Sequence, residues 1–271
     1  MSEERDYVLG THDDEIDRLG LQHRVWRPFV TDAWRRAGFS VGQKLIDVGC
    51  GPGYAALDLA EIVGPAGEVW ALERSNRFLD ALRTTAQARA LMNIQPFEVD
   101  LETDAFPCAD ADGAWCRWVV AFMHEPLELL SKIHRALKPG GVFVSHEYCD
   151  YRSWRVSPRS EVFESFVDAV IKSWRNSGGD PDVGIEMPRW LERTGFELVS
   201  VSCIQQFVGR EDYMWQWPIA FLNVGLERLC DLGEVDEQFT QAMRTEIRRI
   251  ESEPGIRFLT PSVAQIVARR R

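Results

Sequence analysis

Apolar positions change their period several times along the chain, and each change marks an element. Between residues 14 and 37, Ile16, Leu19, Val25, Trp26, Phe29, Val30 and Ala33 recur at helical spacing. Breaks near Gly20 and Pro28 predict two short helices there. From Lys44 onward, short apolar runs alternate with helix-length segments, as a parallel sheet covered on both faces requires. Strands are expected at 44–49 (KLIDVG), 68–73 (EVWALE), 94–99 (IQPFEV), 112–119, 141–148 and 196–204, with Pro96 weakening the third. Helices are expected at about 54–63, 76–90, 126–137 and 185–194. LKPGG at 137–141 reads as a helix end, a turn and the start of a strand. PSVAQIVARR reads as a last strand.

Two segments interrupt the alternation. In 151–177, Ser157, Pro158 and Glu161 are arranged like a helix start, with Phe163, Phe166, Val167, Val170 and Trp174 on one face. Residues 210–253 read as two helices separated by a Gly-containing turn. Both insertions follow late strands, so they should form a helical cap over one edge of the sheet. Their aromatics, Trp154, Phe163, Phe166, Tyr213, Trp215, Trp217 and Phe221, either line a hydrophobic pocket or form plain core. The apolar faces would allow a homodimer or close the cap.

The 271 residues can bury a sizeable core, as one domain with elaborations. Lys plus Arg number 31 against 42 Asp plus Glu, a net charge of −11, which argues against nucleic acid and anionic membranes as partners. The six cysteines (50, 108, 116, 149, 203, 230) form no CxxC pair and read as buried thiols in a reducing cytoplasm. MSEERDYVLG lacks the features of a signal peptide, and no apolar run reaches membrane length, so a cytoplasmic location without a membrane is expected. Arg269 to Arg271 read as a frayed tail.

The chemistry concentrates in LIDVGCGPGYAALDLA, Leu45 to Ala60. A strand, a glycine-rich turn and a helix place several backbone N–H groups and the positive helix end at one point. Gly49, Gly51 and Gly53 do not match a dinucleotide fingerprint, which requires a glycine where Tyr54 stands. No GK[ST] follows, which excludes a Walker loop. Glu73 ends the second strand, 22 residues after Gly51, where a carboxylate can accept both ribose hydroxyls, and Asp100 ends the third, within reach of an adenine amine.

LIDVGCGPG resembles motif I of the class I S-adenosylmethionine-dependent methyltransferases. ALERS at 71–75, VDLET at 99–103 and CRWVVAFMHEPLELLSKIHRALKPGG extend that resemblance over about residues 41–148 and, further on, 185–204. The chain is most similar to the small-molecule branch, which includes ubiquinone/menaquinone-type and natural-product enzymes. The resemblance implies a Rossmann-like, mostly parallel seven-stranded α/β sheet with helices on both faces. It implies an N-terminal helical lid at 1–40, a core at 41–150 and 185–206 with 257–271, and cap insertions at 151–184 and 207–256. S-adenosyl-L-methionine would be the cofactor. Asp47, Gly49, Gly51 and Gly53 would line its methionine moiety, Glu73 and Arg74 the ribose, Asp100 and Leu101 the adenine, and Arg117 and Trp118 the floor near the sulfonium. Tyr7 and Gln22 would belong to the lid.

Methyl transfer asks little of a protein beyond holding nucleophile and methyl in line, about 3 Å apart, and excluding water. No metal is required, and a base is needed only for an acceptor with a proton to lose. His146 and Glu147, beside Tyr148, are the candidate catalytic residues at the end of the fifth strand. Strand alternation would instead send one of the pair into the core. His124 reads as a turn residue, His12 and His23 as surface or lid packing, and Cys50 as a small side chain under the helix. The expected function is methyl transfer to a small hydrophobic or aromatic acceptor by in-line displacement. The alternatives are a cofactor-dependent cyclisation, decarboxylation or rearrangement on the same fold, or a non-catalytic binding module.

Overall fold

The computed structural model describes residues 13–271, with side chains from residue 14. Tyr7 and His12 lie outside the described residues. In chain order the elements are α1 (Asp13–Ala37), β1 (Lys44–Val48), α2 (Tyr54–Val63), β2 (Glu68–Glu73), α3 (Asn76–Ala88), β3 (Ile94–Glu98), β4 (Ala111–Arg117), α4 (Pro126–Ala136) and β5 (Leu137–Asp150). They continue with β6 (Arg155–Ser157), α5 (Glu161–Asn176), α6 (Met187–Arg193), β7 (Phe196–Ile204), β8 (Phe207–Val208), α7 (Gln216–Asp231), α8 (Glu237–Ser252), β9 (Arg257–Leu259) and β10 (Ser262–Arg270).

The seven-stranded sheet runs β3-β2-β1-β4-β5-β10-β7. Its first five strands are parallel, and β10 is antiparallel to both β5 and β7. Alternation sends strand neighbours to opposite faces. Leu45, Val69, Trp115 and Val144 enter one apolar layer with Trp26, Trp34 and Leu57, whereas Ile46, Leu72, Cys116 and Phe143 enter the other with Leu129, Ile133 and Leu191. Pro96 is accommodated because β3 is an edge strand, where a missing N–H costs no ladder bond on the open side.

The two short helices expected before the core are one helix, α1, which runs through Pro28. A proline inside a helix costs about 3 kcal/mol. Burial of Trp26, Val30, Ala33 and Trp34 on one face offsets this, since each large apolar side chain contributes about 1.5–3 kcal/mol. Gly20 does not break α1 either; it lets Tyr54 approach, whose hydroxyl would lie 2.8 Å from an added Cβ.

Several other expectations need correction. The helix start near Ser157 belongs three residues later: Ser160 caps α5 by accepting from the Phe163 N–H, and Ser157 ends β6. Three pieces too short to show a period, β6, β9 and β8, form a second, antiparallel sheet that went unforeseen. The LKPGG segment lies within β5, where the pairing jumps from Ala111↔Leu137 to Gly113↔Val142, so its glycines serve an irregularity in the ladder. Arg269 and Arg270 are no frayed tail, because they belong to β10 and donate to the carbonyls of Gly140, Arg135 and Leu137. Of the cysteines, Cys50 and Cys116 are buried, Cys203 is exposed and the others are intermediate.

The apolar faces of α5 and α7 are turned inward, with Phe163, Phe166, Val170, Trp217 and Leu222 buried. They close a cap over the carboxyl ends of the strands, against α1. Among the described residues, no helix is long and apolar enough to cross a membrane.

Candidate active site

The turn after β1 is shaped by its glycines. Gly53 has φ +83°, and a Cβ there would sit 2.3 Å from Leu82 Cδ1. Gly53→Ala should therefore cost roughly 2–4 kcal/mol from left-handed strain and overpacking, read as a lowered thermal midpoint. At Gly51, with φ +54°, a Cβ would meet nothing nearer than Leu19 Cδ1 at 4.0 Å, so Gly51→Ala should cost the left-handed strain alone, about 1–2 kcal/mol. Glu73, at the end of β2, straps this turn to the sheet. Its Oε2 accepts from the Gly51 N–H at 3.0 Å and its Oε1 from the Ser75 N–H at 2.9 Å. A carboxylate oxygen has two lone pairs, so each retains capacity for a hydroxyl.

A cleft of about 480 Å³ opens at this point. Asp47, Gly49, Gly51, Glu73, Arg74, Asp100, Leu101, Arg117 and Trp118 all line it, so those residues singled out from the sequence converge on one cleft. Gly53 does not line the cleft and instead packs behind the turn against Leu82. The loop after β3 is held in place from beneath. Lys132 Nζ, on α4, donates to the carbonyls of Leu101 and Glu102 at 2.9 Å each, and Asp100 Oδ1 accepts from the Glu102 N–H at 2.9 Å.

The electrostatics of the cleft come from buried charges. Burial pushes the Asp47 carboxyl up to about 7 against the pull of Arg117, and leaves Oδ2 with no hydrogen-bond partner. Burial likewise lowers Arg117 to about 10, with the Asp47 charge opposing it. His23, which sequence reading left as packing, is part of this site. Its Nε2 lies 3.1 Å from Asp58 Oδ2 and its Nδ1 3.4 Å from Arg117 Nη2. Asp58 is also held by Arg27, at 2.7 Å. One signal for this cluster was available: a lone Asp on the apolar face of α2 requires a partner when buried.

Next to the cleft is a smaller chamber, about 40 Å³, lined by Tyr148, Tyr151, Trp154, Trp174, Trp217 and Phe221 among others. Gln22, Trp118 and Phe122 line both spaces. Trp118, Tyr148 and Trp217 lie nearly parallel, with Trp118 centroids 5.2 Å from Tyr148 and 5.6 Å from Trp217. Of the inserted aromatics singled out from the sequence, Trp154, Trp217 and Phe221 line the chamber, Phe163, Phe166 and Trp215 are buried without lining it, and Tyr213 is exposed.

Comparison with known proteins agrees with this geometry. A family model described as a methyltransferase domain matches residues 45–141. The demethylmenaquinone methyltransferase of Geobacillus kaustophilus is 32% identical over 126 residues, covering 46% of this chain and 53% of that one. Residues 45–141 carry a methyltransferase domain by that match. The chain spans about half the length of the curated relatives it matches. Among solved structures, coclaurine N-methyltransferase bound to N-methylheliamine and SAH superposes with a TM-score of 0.58 at 15% identity, covering 90% of this chain and 72% of that one. The [4+2]-cyclase SpnF superposes with a TM-score of 0.56 at 20% identity, covering 90% and 80%. These two share the fold.

The residues expected as bases lie just beyond the matched stretch, in β5, and are placed otherwise. His146 is fully buried between Trp115 and Trp26, with ring centroids at 5.0 and 6.0 Å, and its Nε2 lies 3.1 Å from Gln265 Oε1. Burial and the Arg117 charge lower it to about 3, so it is a neutral core residue. Glu147 is fully buried on the other face. Its Oε1 accepts from the Val119 and Val120 N–H groups at 2.9 Å each, which holds the turn after β4, and burial raises it to about 7. Neither lines the cleft or the chamber. Of the three candidates, Tyr148 alone faces the chamber. His124 sits on the cleft rim beside Glu102, its Nδ1 3.3 Å from Oε1. The Cys50 thiol donates to the Gly51 carbonyl at 3.4 Å and is pushed well up by burial, which leaves it unreactive.

Proposed function

We propose that this chain is an S-adenosylmethionine-dependent methyltransferase acting on a small hydrophobic or aromatic acceptor. The observation that carries this reading is the join between a polar cleft built on the glycine turn and an aromatic chamber, with Trp118, Gln22 and Phe122 common to both. The cleft's donor set fits the cofactor. Glu73 has lone pairs left for the ribose hydroxyls, Asp100 and Leu101 line the cleft and would take the adenine, and the unpartnered Asp47 Oδ2 suits an ammonium. When bound, the cofactor supplies an electrophilic methyl on a sulfonium. The chain's own residues would position and desolvate the acceptor: the chamber's rings offer faces for a flat molecule, and from about 40 Å³ the chamber must widen to admit one. A cytoplasmic small-molecule enzyme, without nucleic acid or membrane as partner and with room for a homodimer, is the setting this reading implies.

Incubation with methyl-labelled cofactor and a panel of aromatic acceptors tests it. Labelled acceptor and S-adenosylhomocysteine formed in equal amounts are expected; cofactor binding without either product overturns it. A second reading, a rearrangement or cyclisation with the cofactor retained, is favoured by one feature. Among the described residues, the chamber lining includes no Asp, Glu, His, Lys or Cys to take a proton. Conversion of an acceptor without release of S-adenosylhomocysteine would select it.

Asp47 gives a pH signature. Its titration near 7 leaves it about half protonated at neutral pH. A ligand ammonium beside it favours the carboxylate, so binding releases a proton. Affinity for S-adenosylhomocysteine should rise with pH up to about 7 and level off above, changing by up to about tenfold per unit below. Calorimetry across buffers of different ionisation enthalpy measures the released proton, and Asp47→Asn should abolish it.

A further inference from the structure

Arg117 is poorly suited to the floor beneath a sulfonium, because two cations in a dry site repel. It is also the cleft-lining cation with a buried N–H group, at Nη1, that has no partner. An unpaired, buried, charged donor is costly unless an anion completes it. On the reading above, one anionic group enters the cleft, the carboxylate of the cofactor's amino-acid tail. The unpartnered Asp47 Oδ2, in the same cleft and within the electrostatic reach of Arg117, matches the ammonium of that tail.

We propose that Arg117 is the carboxylate clamp of the cofactor cleft and that His23, anchored by Asp58 and Arg27, is the residue that positions it. Hydrogen-bond chemistry fixes the arrangement. A guanidinium has only donors, so His23 Nδ1, 3.4 Å from Arg117 Nη2, accepts. His23 is therefore the neutral tautomer with its proton on Nε2, donated to Asp58 Oδ2 at 3.1 Å. Arg27 Nε, at 2.7 Å from the same carboxylate oxygen, keeps Asp58 ionised and in place. The relay occupies Arg117 Nη2 and leaves Nη1 for the ligand. It also crosses three elements, His23 on α1, Asp58 on α2 and Arg117 at the end of β4, so α1 forms a wall of the cofactor site. This rests on the methyltransferase reading for the identity of the ligand.

The test compares two ligands by calorimetry: S-adenosylhomocysteine, which carries the amino-acid tail, and 5′-methylthioadenosine, which lacks it. Arg117→Met should weaken S-adenosylhomocysteine roughly 10- to 100-fold, the scale of a hydrogen bond to a charged group, and change methylthioadenosine by less than about threefold. His23→Leu should weaken the first ligand about tenfold and spare the second. His23→Gln, which can still accept from the guanidinium, should recover most of the loss. Circular dichroism melts confirm that each variant is folded, and Arg117→Lys serves as a milder second variant if Arg117→Met is not. Equal weakening of both ligands, or of neither, overturns the clamp. Loss in Arg117→Met but not in His23→Leu overturns the relay. If the unaltered protein binds neither adenosyl compound, the methyltransferase reading itself fails, which is a different result from either.

Discussion

Replacing Glu73 by alanine is expected to weaken binding of both S-adenosylhomocysteine and 5′-methylthioadenosine by at least about 100-fold. Both ligands carry the ribose, and two hydroxyls donating to one carboxylate contribute about 1.5–3 kcal/mol each. The same substitution also frees the Gly51 and Ser75 N–H groups that Glu73 now accepts from at 3.0 and 2.9 Å. A stability loss of roughly 1–3 kcal/mol should accompany the loss of affinity. Glu73→Gln separates the two effects, because the amide keeps one acceptor oxygen and the side-chain shape; a loss of roughly 10-fold is expected. Unchanged affinity in Glu73→Ala, measured by calorimetry on folded protein, would show that the ribose lies elsewhere.

The second large effect is structural. Trp26, on α1, packs edge-on against Trp217 of the cap at 4.9 Å and Trp118 at 5.2 Å, and is 1% exposed. Trp26→Ala should cost about 3–5 kcal/mol, the range for deleting a buried aromatic, and lower the thermal midpoint by roughly 10 °C. Trp26→Phe should cost far less. It keeps the ring contact and removes an indole N–H that has no hydrogen-bond partner in the core. A loss below about 1 kcal/mol in Trp26→Ala would mean that α1 and the cap are not held together through this side chain.

These two sites also mark what the sequence could and could not convey. The place of Glu73, at the end of β2 and lining the cleft, was legible because strand ends in a parallel sheet follow from period and length, and a glycine turn marks the end where the sheet opens. Six of the seven sheet strands fall within three residues of their expected starts apart from β5, whose irregular beginning depends on pairing with β4 and not on its own residues. α1 was read as two helices because Pro28 is a local signal, whereas the burial of Trp26, Val30 and Trp34 that overrides it is a tertiary one. The small sheet of β6, β9 and β8 was illegible for a related reason: two or three residues carry no period.

The misassignment of His146 and Glu147 has a physical cause too. Their expected position at the end of the fifth strand is close to the ligand side, but β5 extends to Asp150, so both side chains are still inside a strand flanked by β4 and β10. Only from Tyr148 onward does the chain reach the chamber. His23 was missed because its partners, Asp58 and Arg117, are distant in sequence and meet only when α1 lies across the turn.

The place of β10 has a consequence for synthesis. This strand, the last of the described elements, is inserted between β5 and β7 and bonds to both. A nascent chain that has not yet released residues 262–270 therefore carries two unfilled sheet edges, one of them β5 with its buried apolar row. The parallel half can assemble as it emerges from the ribosome, while the antiparallel half must wait, exposed to mispairing, for the final strand. Agents that bind open edges would have their opportunity in that interval.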